Sequence, residues 1–114
     1  MAKNDYHVIV YQILSYLYQM LKNGKKVEGK YISYDNKYFQ INKNYWTYIM
    51  INLLKDGYIE GILIDNIDGE EMPNIYYLDR CTITPKGIEY LCDNSFMEKA
   101  KQFFKDAKDI IPFI

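Results

Sequence analysis

Residues 53–61 read LLKDGYIEG. Leu53, Leu54 and Lys55 continue an apolar periodicity that reaches back to Trp46, and Gly57 interrupts it. A glycine just past the last turn of a helix takes the left-handed conformation without steric cost, so the stretch predicts a helix stop. Tyr58 and Ile59 then open YIEGILIDNI, an isoleucine-rich, β-branched run that reads as a strand. A helix is expected to pass into a strand across one glycine, with no loop between them.

Working outward, Trp46, Ile49, Met50, Leu53 and Leu54 share one side of a helix over residues 43–56, while Asn44, Tyr48, Ile51, Asn52 and Lys55 face the other way. Asn42 suits its N-cap. Near the N-terminus, Tyr6, Ile9, Val10, Ile13, Leu14, Leu17, Met20 and Leu21 recur at i, i+3, i+4 and i+7, the stripe of an amphipathic helix over 5–22. Asn4 or Asp5 would cap it, and Asn23-Gly24 would stop it. Between these helices, KKVEGKYISYDNKYF mixes helical spacing with aromatic residues, and a short helix is expected over 29–38. Downstream, DGEEMPN is a loop and IYYLDRCTIT a second strand, so residues 58–84 form a hairpin with a break near Asp79-Arg80. Thr84 caps a further helix with Pro85 at its first position. The 85–111 segment holds two C-terminal helices, the last carrying Phe96, Ala100, Phe103, Phe104, Ala107, Ile110 and Ile111 on its apolar side.

This order predicts an α+β domain over residues 1–114: a winged helix-turn-helix with a three-helix core, a β-hairpin wing and additional C-terminal helices. LLKDGYIEGI together with TITPKGIEYL also resembles the YjcQ family, small winged-helix proteins of bacteria and their phages. The positions that carry the resemblance are Leu54, Gly57, Tyr58 and Ile59 at the joint, then Ile83, Thr84, Gly87, Tyr90 and Leu91 after the hairpin. The lysine- and tyrosine-rich region at 24–39 is longer than the family pattern. The resemblance implies a fold and no established activity.

Composition narrows the function classes. Lys, Ile, Tyr and Asn, all with A/T-rich codons, make up 51 of the 114 residues, which suggests a low-GC bacterium or a phage of one. No apolar run approaches the roughly 18 residues of a membrane span. Two cysteines without CxxC spacing fit a reducing, cytoplasmic setting, and no membrane partner is expected. His7 is the only histidine, Cys81 and Cys92 have no basic neighbour to lower a thiol pKa, and no phosphate-binding glycine loop occurs. Asp65, Asp68, Glu70 and Glu71 form an acidic wing loop without the ligand order of a calcium site. No catalytic residue, metal or cofactor is therefore expected, and the chain is read as a non-enzyme.

Charge is divided along the chain. Residues 1–55 hold 8 Lys against 3 acidic residues, net +5; residues 56–114 hold 6 Lys or Arg against 12 acidic residues, net −6. The winged-helix reading makes double-stranded DNA the expected partner, with the 43–56 helix in the major groove. Lys43, Asn44, Thr47, Tyr48, Ile51 and Lys55 would face the bases, since Asn pairs with adenine and an apolar side chain meets the thymine methyl. Lys25, Lys26, Lys30 and Lys37 would neutralise phosphates. The helix carries no Arg, the commonest base reader, and the acidic wing would repel a duplex. The alternative class is a non-enzymatic protein-interaction module, using Tyr48 and Ile51 as an aromatic and apolar patch. A homodimer through the C-terminal helix is a further expectation.

Overall fold

The computed structural model describes residues 1–65 and 72–107. Helix α1 (Tyr6–Asn23) is its axis. Residues 8–17 are all buried, with Val8, Ile9, Val10, Ile13 and Leu14 at 0% exposure. The sequence predicted a single apolar stripe, yet Gln12 and Ser15, off that stripe, are covered as well. A helix closed in on every side is a core helix, and here α3, α4 and the last strand surround it. Asp5 occupies the N-cap position, but its carboxylate accepts from the Ala2 amide at 2.8 Å instead of from the helix. At the other end Gly24, at φ 63°, closes the helix through Gly24 N–H to Leu21 O and Lys25 N–H to Met20 O.

The helix expected over 29–38 is not formed. Gly29–Tyr31 make one 3-10 turn, and a loop follows, pinned by an isolated bridge between Asp35 and Gln40. Asn36 is the cause. Its side chain is 4% exposed; the carbonyl accepts from the Tyr38 and Phe39 amides at 2.7 and 2.9 Å, and the amide donates to Ser33 O at 2.9 Å. An Asn that satisfies three backbone groups locally offers the chain an alternative to helix. The loop is anchored below by Trp46, whose indole N–H donates to Ile32 O at 2.8 Å.

Helix α2 (Lys43–Lys55) starts as expected, with the Asn42 side chain accepting from the Asn44 and Tyr45 amides. Trp46, Ile49, Met50 and Leu53 face the core. It ends on Gly57 at φ 78°, with Tyr58 N–H bonded to Leu53 O and Gly57 N–H to Leu54 O. These two bonds close the helix and aim the chain straight into strand β1 (Ile59–Glu60).

The hairpin is broken on both arms. Strand β1 pairs antiparallel with β4 (Thr82–Ile83) at the base, and β2 (Leu63–Asp65) pairs with β3 (Asn74–Tyr76) further out. Between the pairs, Gly61 and Ile62 lie opposite a 3-10 turn at Leu78–Arg80, the break expected near Asp79-Arg80. Gly61, at φ 96°, lies so close to the Arg80 carbonyl that a Cβ would collide with it. The turn also grips the earlier loop: Asp79 accepts from the Gly29 amide at 2.6 Å, and a Cβ on Gly29 would stand 2.7 Å from that of Leu78. Of the acidic residues predicted for the loop between the strands, Asp68, Glu70 and Glu71 lie outside the described residues.

Helix α3 (Pro85–Asp93) begins at Thr84, as predicted, and α4 (Ser95–Ala107) follows at once, with Met97, Ala100 and Phe104 buried. Ile110 and Ile111 lie outside the described residues. The described residues thus form an α+β arrangement of four α-helices and two small antiparallel sheets. None of these helices is long and apolar enough to cross a membrane.

Thr84 and Gly87 lock the joint between α2 and α3. The Thr84 hydroxyl donates to Gly57 O at 2.5 Å and accepts from Gly87 N–H at 3.0 Å. Thr84→Val removes the cap and leaves a carbonyl without its donor, so it should lower stability by about 1–3 kcal/mol in urea unfolding. Thr84→Ser should stay within about 1 kcal/mol of the parent, because the hydroxyl is retained. Equal losses in both variants would show that the hydroxyl is unimportant.

Candidate nucleic-acid interface

The exposed strip of α2 carries Asn44, Tyr48 and Lys55, spaced so that they share one face, with Lys43 at its start. Tyr48 is 59% exposed, and Ile51 is half-buried beside it. Thr47 does not belong to this face. It is 1% exposed, and its hydroxyl donates to Lys43 O at 2.8 Å, one turn back. A Thr that bonds its own helix and points inward cannot read a base, so Thr47 leaves the predicted set.

The other predicted lysines sit elsewhere. Lys25, Lys26, Lys30 and Lys37 are exposed around the C-terminal end of α1 and the 29–41 loop. Their neighbours are tyrosines. Lys30 lies 5.2 Å from the Tyr31 ring and Lys37 5.1 Å from Tyr38, and Lys43 at the start of α2 lies 5.8 Å from Tyr34. Each exposed pair contributes about 0.5–1 kcal/mol and orients its ammonium. Lys30 also reaches Glu28 at 3.7 Å, which tempers its charge. The predicted residues therefore form two groups, the α2 strip and a lysine–tyrosine arm that the alternation in KYISYDNKY signals once those residues are known to lie in a loop.

A second aromatic surface adjoins α2 and shares Tyr48 with the strip. Tyr48 meets Tyr6 edge-on at 6.3 Å, Tyr45 donates its hydroxyl to Asn4 O at 2.8 Å, and His7 stacks flat on Phe96 at 4.3 Å. The His7 Nδ1 is buried without a hydrogen-bond partner among the described residues, and burial lowers its pKa against the opposing pull of Asp5. Burial, then Tyr90, Asp56, Tyr48 and Tyr58, pushes the Tyr6 phenol up to about 12. Cys81 is buried, and burial alone pushes its thiol up to about 12. Cys92 is exposed. The apolar side of α4 is used within the chain, where Phe104 stacks near Tyr11 at 5.9 Å. Met97, Ala100 and Phe104 of that helix are buried within the chain, while Phe96 is exposed.

A family model described as YjcQ protein matches residues 11–110. The chain belongs to the YjcQ family. The residues that suggested this family converge in space: Thr84 bonds Gly57, Ile59 pairs with Ile83, and Tyr58 stacks on Tyr90 at 4.3 Å. A Cβ on Gly87 would strike the Tyr58 carbonyl, which explains a glycine there. The YjcQ signature therefore describes the joint behind α2 and not the exposed strip. No curated protein and no solved structure is significantly similar to this chain.

Tyr6 supplies a pH test. Its phenol keeps its proton in the fold between its ordinary value of 10.0 and about 12, while the unfolded chain releases it. The fold binds more protons in that window, so stability should fall as pH rises through it. Tyr6→Phe removes the titration, and its urea midpoint should decline less than that of the parent between a pH below 10 and one near 12. An identical decline in both would contradict the assignment.

Proposed function

We propose that this YjcQ-family chain is a non-enzymatic, winged-helix-type regulator that binds double-stranded DNA through α2. In this reading α2 enters the major groove, the β2–β3 hairpin is the wing, and the loop locked by Asn36 replaces the helix that usually precedes the reading helix. The observation that carries it is the surface of α2: no carboxylate occurs from Lys43 to Lys55, and Lys43, Asn44, Tyr48 and Lys55 are all exposed. Lys43 and Lys55 would take phosphates, Asn44 an adenine edge, and the half-buried Ile51 a thymine methyl.

A protein-interaction module is the second reading, favoured by the aromatic surface that adjoins α2. Tyr48 at 59% and Phe96 at 45% exposure are large apolar groups left in water. Tyr48 belongs to both surfaces, so a substitution there does not separate the two readings; the lysines do.

The test is fluorescence anisotropy with a labelled A/T-rich duplex at several salt concentrations. Affinity should fall linearly on logarithmic axes, and Lys43→Gln with Lys55→Gln should weaken it and reduce the slope by about 0.9 per lost phosphate contact. No binding at low salt by the folded protein would refute the duplex reading and leave the protein partner.

A further inference from the structure

We propose that the cleft between the last turns of α1 and the lysine–tyrosine arm receives an unpaired nucleobase, so that the arm is a site for single-stranded nucleic acid. The cleft encloses about 280 Å³. Gln19, Asn23 and Lys25 line it from α1 and its exit, and Tyr31 and Tyr38 from the arm. Ligand pockets run from about 300 to 1,000 Å³, so this one suits a group the size of a single base.

Three chemistries meet there, each matching one part of a nucleotide. The Tyr31 and Tyr38 rings, 6.1 Å apart and inclined by 37°, offer aromatic faces on which a base stacks. Gln19 and Asn23 also line the cleft, and an amide carries both the donor and the acceptor that a base edge requires. Lys25 supplies the charge for a phosphate. The wall behind is rigid: the Tyr16 hydroxyl accepts from the Glu28 amide at 2.9 Å and so fixes the start of the arm against α1.

Tyr31 also lines a second cleft, of about 320 Å³, with Lys30, Lys37, Asp35 and Asn36. One ring thus separates two depressions, each with lysine at its rim, as a strand laying successive nucleotides across the arm would need. Asp35 opposes a phosphate there, but it accepts from the Ser33 hydroxyl at 2.8 Å, and two lysines stand against it. A duplex cannot use this site, because its bases are stacked and paired and their faces are closed. No α2 residue lines either cleft, so the inference is independent of the duplex reading.

The experiment is a binding titration of the full chain with short labelled single strands of DNA and of RNA, read by anisotropy and by tyrosine emission. Single strands should bind and quench tyrosine emission. Tyr38→Leu and Tyr31→Leu should each weaken binding by roughly 5- to 100-fold, the range for loss of one base–aromatic stack. Tyr38→Phe should bind like the parent, since the face is retained. Asn23→Ala, on the surface at the end of α1, covers the case in which a tyrosine variant fails to fold, and should weaken binding or level the preference among bases. Binding of DNA alone, of RNA alone or of both upholds the site, and the difference reports on whether a 2′-hydroxyl is read. Indifference of the folded parent to every single strand would overturn the proposal, as would unchanged affinity in both Tyr38→Leu and Asn23→Ala. Binding of duplex alone would also overturn it while leaving the α2 reading intact.

Discussion

The Thr84 hydroxyl is the contact on which the arrangement of this molecule rests. It donates to the carbonyl of Gly57, where α2 ends, and accepts from the amide of Gly87, where α3 begins. The Thr84 amide in turn donates to Tyr58 O at 3.1 Å. The end of α2 with the adjoining base of the hairpin and, 27 residues later, the start of α3 are thereby set at one point. The direction in which α2 presents its exposed strip follows from this joint. The close approach requires glycine at position 87, because the Tyr58 carbonyl occupies the space of a side chain.

Behind the joint, α1 is the common wall. Its buried middle packs against α3, α4 and β4, and Tyr16 within it holds the start of the arm. The charge division of the sequence acquires a location in this frame. Six of the eight lysines of the first half lie on the α2 strip or around the arm, Lys43 and Lys55 on the first and Lys25, Lys26, Lys30 and Lys37 on the second. The proposed activities follow that split, with duplex assigned to the strip and unpaired strand to the arm.

Much of the fold was legible because local signals agreed with global packing. Asn42, Gly57 and Thr84-Pro85 each act through one backbone bond or one dihedral angle, so a single residue marks a boundary. The segment at 29–38 misled because its tyrosines fall at helical spacing, while the decisive group is the Asn36 side chain, whose three backbone bonds become visible only when it is buried. Thr47 misled for a related reason. Polar identity placed it among the readers, but its hydroxyl is satisfied by its own helix and needs no water. The base-sized cleft was not legible at all, since Gln19 and Asn23 come from one helix and Tyr31 and Tyr38 from a loop whose path the sequence did not foretell.

The central claim is that α2 presents a nucleic-acid surface on its exposed strip. Amide chemical-shift mapping of the isotope-labelled chain during titration with an A/T-rich duplex tests it most directly. The account predicts shifts concentrated at Lys43, Asn44, Tyr48 and Lys55, with the buried Thr47 side chain and the joint at Thr84 nearly unmoved. Shifts centred instead on Tyr6, His7 and Phe96, or none along α2, would contradict it.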